Sequence, residues 1–253
     1  MPPTFDSARV LAVIPCRYAS SRFPGKPLAP IRGKPMIQHV VERTARAPSV
    51  SRVIVATDDA RIRDAVRAFG GEAVMTGEHR SGTDRIAEAL AIETARGAAP
   101  GWVLNVQGDE PLIDPADLER LIQGMFAVPE GLMGTLVHPL HTEQELNDVH
   151  VVKAVLDLQH RALYFSRSPV PYPREPGSLG WRHMGVYLYR TDFLRTFHGL
   201  PSTELAEREQ LEQLRALENG YAIHCFEAAF LSVGVDVPAD IARAEEALAH
   251  IGG

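Results

Sequence analysis

The sequence predicts an α/β fold, a doubly wound and mainly parallel sheet with a smaller mixed α+β lobe, and three features carry that expectation. Short β-branched runs alternate with helical patterns through the first half of the chain. The second half changes rhythm to closely spaced strands. The 253 residues are 45% hydrophobic and 23% charged, which suits a single soluble domain with a sizeable core.

Taken in order, Val10–Pro15, Val53–Thr57, Ala73–Met75 and Val103–Gln107 read as buried strands. Between them, Met36–Arg46, Asp59–Phe69 and Asp84–Thr94 carry apolar residues at helical spacing. That alternation implies right-handed βαβ units, whose ligands bind beyond the carboxyl ends of the strands. Leu132–Leu140, Val151–Leu156, Ala162–Arg167 and Arg182–Tyr189 read as strands of the second part, with a hairpin turn over Asp157–Arg161. Pro169–Gly180, rich in Pro and Gly, reads as a mobile loop. Thr203–Glu218 is expected to form one helix, capped by Ser202 or Thr203 and stopped by Gly220, and Asp240–His250 forms the last. The expected layout is one domain over residues 1–253. Its ligand-binding part spans about 9–130, and a lobe of about 131–225 precedes the final helix.

Charge and cysteine content narrow the function. With 26 basic and 32 acidic residues the formal net charge is −6, whereas a groove for nucleic acid wants a basic surplus. Cys16 and Cys225 form neither a CxxC pair nor a disulfide framework, which points to a reducing compartment. The segment Met1–Asp6 lacks a basic n-region, and no apolar run approaches the roughly 18 residues of a membrane span. A cytoplasmic protein with neither nucleic-acid nor membrane partners is expected.

The unusual residues follow the first and fourth predicted strands. Pro15–Pro27 brings Arg17, Arg22 and Lys26 together with Ser20, Ser21 and Gly25, where a phosphate cradle would sit. Arginine grips phosphate oxygens bidentately and lysine adds a compact point charge. A solvated basic loop is the competing reading; the position after the first strand favours the cradle. Gly25-Lys26 and Gly33-Lys34 are each followed by Pro, and no GxGxxG occurs, so P-loop ATPases and NAD dehydrogenases lose their support. Asn105–Pro111 closes the fourth strand with a turn that presents Asp109 at the ligand edge, a place for a Mg²⁺ carboxylate. The second carboxylate is Asp236 in Gly234–Pro238, unless that residue caps the last helix.

The loop Arg17–Pro27, the stretch Arg80–Arg85 and Asn105–Pro111 together resemble the nucleotide-sugar cytidylyltransferases. Ala162–Arg167, Arg182–Tyr187, Leu211–Arg215 and Gly234–Asp236 narrow the resemblance to the CMP-Kdo synthetases (3-deoxy-manno-octulosonate cytidylyltransferases), over about residues 9 to 249. Cys16 and Phe23 stand where that family has Ala and Leu, and Met75–Arg80 is slightly short. The resemblance implies a nucleotide-diphospho-sugar transferase-like fold and transfer of CMP from CTP to the anomeric hydroxyl of Kdo, for lipopolysaccharide synthesis. It also implies Mg²⁺ as cofactor and a homodimer, with the second-half sheet and helices as the contact region.

Residue by residue, Arg17, Lys26 and Asp109 take the catalytic positions. Arg17, Ser20, Ser21, Arg22, Lys26, Arg80, Ser81, Gly82 and Gln107 take the nucleotide. Gln107, Arg167, His183, Tyr187, Glu212 and Gln213 take the sugar, and Asp109 and Asp236 the metal. Arg167 is the cation for the sugar carboxylate, or else a surface arginine at a strand end. Tyr187 lies four residues after His183 and so on the same strand face. Tyr164 and Tyr189 read as core, and Glu209 and Glu212 as neighbours at i and i+3 of one helix. The residues leave open another acidic sugar, sialic or an amino-substituted Kdo, and a nucleotide-binding regulator without catalysis.

Overall fold

A computed structural model describes residues 6–19, 22–79, 81–174 and 177–251. Ser20, Ser21 and Arg80, expected at the nucleotide, lie outside the described residues. The chain divides into two compact units, 1–119 with 232–253, and 120–231. These divisions fall near 119 and 231, against the expected 130 and 225.

In the first unit, β1 (Asp6–Cys16), β4 (Val50–Thr57), β5 (Glu72–Met75) and β6 (Pro100–Asn105) are parallel and lie in the order β6-β1-β4-β5. A small hairpin of β2 (Pro30–Ile31) and β3 (Lys34–Pro35) follows the first loop. Val10–Ile14 is buried throughout, as a strand covered on both faces requires. The helices are α1 (Met36–Thr44), α2 (Ala60–Ala68), α3 (Gly82–Ala95) and, at the end of the chain, α9 (Asp240–Ile251). Met36, Ile37 and Val40 bury one face of α1, and Ile62 and Val66 that of α2. Asp59 caps α2 through the Arg61 N–H, and Ser81 caps α3 through that of Asp84. Register aligns Cys16 with Thr57 and Thr57 with Met75, so the loops that follow β1, β4 and β5 leave one edge of the sheet together. The fourth predicted strand ends at Asn105, two residues early, because Val106–Pro111 turns away.

The helix α4 (Pro115–Phe126), capped by Asp114, enters the second unit and has no counterpart in the sequence reading. There β7 (Met133–Pro139) lies between antiparallel β10 (Trp181–Arg190) and parallel β11 (His224–Glu227). β8 (Lys153–Leu156) pairs with both β9 (Ala162–Ser166) and β10. The short helix α5 (Glu143–Asn147) opens on a complete capping box of Thr142 and Glu145. The α6 helix (Thr191–Gly199) buries Phe193, Leu194 and Phe197, and rings stack from Tyr187 through Tyr189 and Phe197 to Phe193.

The expected helix Thr203–Glu218 is a correction. It is two short helices, α7 (Glu204–Glu209) and α8 (Leu214–Glu218), with Gln210 left-handed at φ +53° between them. The break is held from outside. Arg167 donates to the carbonyls of Glu209 (2.7 Å) and Gln210 (3.4 Å), which turns them away from helical bonding. Glu209 and Glu212 are therefore not neighbours on one helix.

Candidate active site

Where β1 ends, Pro15-Cys16-Arg17 begins the first loop, and the first unit opens a cavity of about 260 Å³ there. Arg17, Arg22, Lys26, Ser81, Gly82, Gln107, Asp109 and Asp236 all line it. The loop is fixed by local bonds. Gly25, at φ +73°, closes it by donating to the Tyr18 carbonyl at 2.9 Å, and a β-carbon there would stand 3.0 Å from the tyrosine ring. That ring lies 3.3 Å beneath the Arg61 guanidinium, itself tied to Asp59 at 2.6 Å.

The centre of the cavity is a charge cluster. Lys26 Nζ donates to Asp109 Oδ2 at 2.6 Å and to Asp236 Oδ1 at 3.4 Å, and Arg22 reaches the same Asp236 oxygen at 3.5 Å. Lys26 is 13% exposed, Asp109 37% and Asp236 60%, so the lysine is held by the fold while both carboxylates open to solvent. Asp236 is no helix cap. Asp240 accepts the N–H groups of Asp236 (2.8 Å) and Val237 (3.0 Å), which leaves the Asp236 carboxylate to the cavity. Asp109 is positioned through its neighbour: Glu110 takes the Ser232 hydroxyl at 2.5 Å, and Val235 N–H donates to the Asp109 carbonyl at 3.0 Å. The glycine at 234 gives Glu110 room, because a β-carbon there would stand 3.1 Å from its carboxylate.

Close packing shapes the walls. A β-carbon on Gly108 would collide with Cys16 Sγ and come within 3.2 Å of the Pro15 carbonyl, so the turn before Asp109 lies directly on β1. Burial pushes the Cys16 thiol up, with Asp109 adding to it, and keeps the thiol neutral. Gln107 donates to Asn105 Oδ1 at 3.3 Å. The Met75–Ser81 segment, read with Arg17 as a possible reader of cytosine, contributes His79 to the wall, and the sequence reading missed Arg85 there. Arg85 is buried and committed to Thr76 and Asp58, each at 2.7 Å. His79 bonds Glu88 at 2.5 Å. The His79 bond holds the Glu88 carboxyl low, against the partial burial that raises it and with help from the Gly77 N–H. Only the pairing of α3 with the β5 loop reveals these partners.

The residues expected at the sugar belong to the second unit. His183 Nε2 lies 3.2 Å from Thr135 Oγ1, which donates to the Val186 carbonyl at 2.7 Å. Burial lowers the His183 pKa from 6.5 to about 3, so the ring is neutral. A bulge in β10 inserts Gly185 and Val186 between Met184 and Tyr187. Two inserted residues preserve the alternation, and the rings of His183 and Tyr187 lie 5.3 Å apart. Burial, then Tyr189 and Glu212, raise the Tyr187 phenol well above its usual range. Glu212 receives Arg215 at 2.8 Å. Gln213, 5% exposed, has a buried amide nitrogen without a hydrogen-bond partner among the described residues. Arg167 donates to main-chain carbonyls of Val149, Glu209 and Gln210, which engages three of its five N–H groups and leaves two.

Comparison with known proteins extends this geometry. A family model described as cytidylyltransferase matches residues 11–224. The chain is 54% identical to the 3-deoxy-manno-octulosonate cytidylyltransferase of Syntrophotalea carbinolica, over 96% of its own length and 99% of the relative's. It is 51% identical to the 8-amino-3,8-dideoxy-manno-octulosonate cytidylyltransferase of Shewanella loihica, over 95% and 98%. A solved structure of CMP:2-keto-3-deoxy-manno-octonic acid synthetase complexed with CTP superposes with a TM-score of 0.89 at 44% identity, covering 96% of this chain and 99% of that one. A parallel sheet with a basic loop at its carboxyl edge, two carboxylates around one lysine, and these matches along nearly the whole length agree: the chain belongs to the cytidylyltransferase family.

Proposed function

We propose that the chain transfers CMP from CTP to the anomeric hydroxyl of Kdo, releasing pyrophosphate, in lipopolysaccharide synthesis. The observation that carries this reading is Lys26, bound to both Asp109 and Asp236 in a cavity lined by Arg17 and Arg22. Three cations suit a triphosphate, with the arginines on its oxygens and Lys26 as a point charge. The sugar hydroxyl oxygen attacks the α-phosphorus in line, the bond to the β-phosphate oxygen breaks, and the hydroxyl proton passes to solvent. Positioning and charge neutralisation supply most of such a step. His183 is neutral, and among the described residues no other side chain stands out as a dedicated base.

The donor set fits a hard divalent cation. Two carboxylates share one ammonium, and triphosphate oxygens would draw that ammonium away and free both. Asp109 and Asp236 would hold Mg²⁺, which when bound offsets phosphate charge and favours the ionised hydroxyl. On the sugar side, the orphaned Gln213 amide, the neutral His183 and Tyr187 offer partners for hydroxyls, and the two remaining Arg167 N–H groups match a carboxylate. Among the described residues no helix is long and apolar enough to cross a membrane, which suits a cytoplasmic location. Exposed Leu158, Leu163 and Tyr172 in the second unit suit a homodimer contact there.

The relative that acts on the 8-amino sugar is nearly as similar, so that sugar is the second reading. Pyrophosphate release with CTP, Mg²⁺ and equal concentrations of the two sugars tests both. Preference for Kdo is expected; faster turnover of the 8-amino sugar would transfer the assignment, and no release with either would end it.

A further inference from the structure

Lys153, on β8, is 0% exposed, yet none of its hydrogen bonds goes to a carboxylate. Its ammonium donates to three main-chain carbonyls, of Asp148 at 2.8 Å, Val151 at 2.5 Å and Arg167 at 2.6 Å. A buried ammonium is costly unless all its protons are bonded, and here all three are. Burial lowers its pKa; the Asp148 and Glu209 carboxylates oppose that and the Arg167 charge adds to it.

Arg167 is gripped on every side by this arrangement. Lys153 holds its carbonyl, and the Glu209 carboxylate accepts its amide N–H at 2.8 Å. Its guanidinium donates from Nε to the Glu209 carbonyl at 2.7 Å, and from its two terminal nitrogens to Val149 at 3.0 Å and Gln210 at 3.4 Å. Glu209 is fixed in turn by the Ser166 hydroxyl at 2.6 Å and the Tyr164 hydroxyl at 3.4 Å. Burial raises the Glu209 carboxyl, and the bonds from Arg167, Ser166 and Tyr164 overcome it, so it stays ionised. Among the described residues one N–H on each terminal nitrogen of Arg167 remains, enough for two bonds to a carboxylate.

We propose that Lys153 and Glu209 are positioning residues for the sugar acid: they lock Arg167 in the orientation that presents its two remaining N–H groups to the substrate carboxylate. The inference rests on the sugar-acid reading above. Locking the fork before binding removes the side-chain ordering that a free arginine would undergo on binding, so affinity depends on residues that never touch substrate.

The test compares Kdo with its carboxamide, which keeps the hydroxyls and loses the charge, in the parent enzyme and in Lys153→Met and Glu209→Gln. Lys153→Met keeps an unbranched stem without the ammonium, and Glu209→Gln keeps the shape, so the second serves if the first does not fold. The parent should prefer Kdo over the carboxamide by roughly ten- to a hundredfold in KM, the range of one charge-assisted hydrogen bond. In both variants the Kdo KM should rise about tenfold, the CTP KM should stay within about twofold, and the preference for carboxylate should shrink to a few-fold. An unchanged carboxylate preference, or a CTP KM that rises as much as the Kdo KM, overturns the proposal in favour of a purely structural lysine. Failure of the parent to turn over either sugar overturns the functional reading first and this inference with it.

Discussion

Lys26 stands 2.6 Å from Asp109 and 3.4 Å from Asp236, residues 83 and 210 positions away along the chain. Lys26 and, at 3.5 Å from Asp236, Arg22 balance the two carboxylates, and both cations are ones that a triphosphate would draw away, which is the electrostatic basis for assigning a cation there. Asp109→Asn removes one carboxylate and releases Lys26. Metal-free CTP should bind as tightly as to the parent or tighter, while kcat with Mg²⁺ falls by at least about a hundredfold, the scale of losing a preorganised electrostatic group. Calorimetry without metal and steady-state kinetics with it check the two halves; near-parent kcat would make Asp109 a turn residue. At the same scale, His183 is a stability sensor. Its pKa is about 3 when folded and 6.5 when free, so the unfolded chain binds the extra proton between those values. The neutral ring's contribution is therefore present above pH 6.5 and is lost as pH falls toward 3. Urea midpoints of the parent and His183→Gln, compared from pH 7 to 4, should show a slope of about one proton in the parent that the variant lacks.

At the scale of elements, the site is built by junctions that pack without spare volume. The turn after β6 lies on the end of β1 because Gly108 has no side chain to meet Cys16. Gly108→Ala should destabilise the protein by about 1–3 kcal/mol and raise the CTP KM, since the strain displaces the turn that carries Asp109. Adding Cys16→Ala removes the sulfur and should restore part of the loss. The Pro15 carbonyl, 3.2 Å away, would still press on the new methyl group. Full rescue, or none, by thermal melts and KM would show that the turn is held by something else. The broken helix over 204–218 is the other junction of consequence. Periodicity alone makes it continuous, and Gln210 would continue a helix in isolation. The Arg167 guanidinium and the carbonyls of Glu209 and Gln210 interrupt it, and Glu212 and Gln213 are presented by the gap.

For the whole molecule, ligand binding to the folded state raises its stability by mass action. At a hundredfold excess over Kd the gain is about 2.7 kcal/mol, or roughly 5–11 °C in a protein of this size. CTP with Mg²⁺ should raise Tm by that amount, UTP and ATP by clearly less, and EDTA should abolish most of the CTP effect. A site that hydrogen-bonds the cytosine edge leaves polar groups unpaired with other bases, which is why selectivity is expected. Equal shifts by UTP would remove cytidine selectivity while leaving the phosphate cradle in place.

What the sequence determined by itself is what short-range chemistry encodes. Strand and helix periods in the first unit and the hairpin at Asp157 depend on a few consecutive residues, and each is legible from them. The basic loop and the Gly-Asp-Glu turn were legible too, because their composition is unusual for their positions after strands. Helices α4 to α6 and strand β11 were not, and neither was the break after Glu209. Nor could the sequence decide whether Asp236 caps the last helix; the helix begins only at Asp240, whose carboxylate accepts the Asp236 and Val237 N–H groups and leaves that of Asp236 at the cavity. Lys153 looked like any strand lysine until its ammonium met three carbonyls. These outcomes belong to tertiary structure for one reason: the energy of a buried charge or a close backbone approach depends on partners distant along the chain, and only the folded register says which they are.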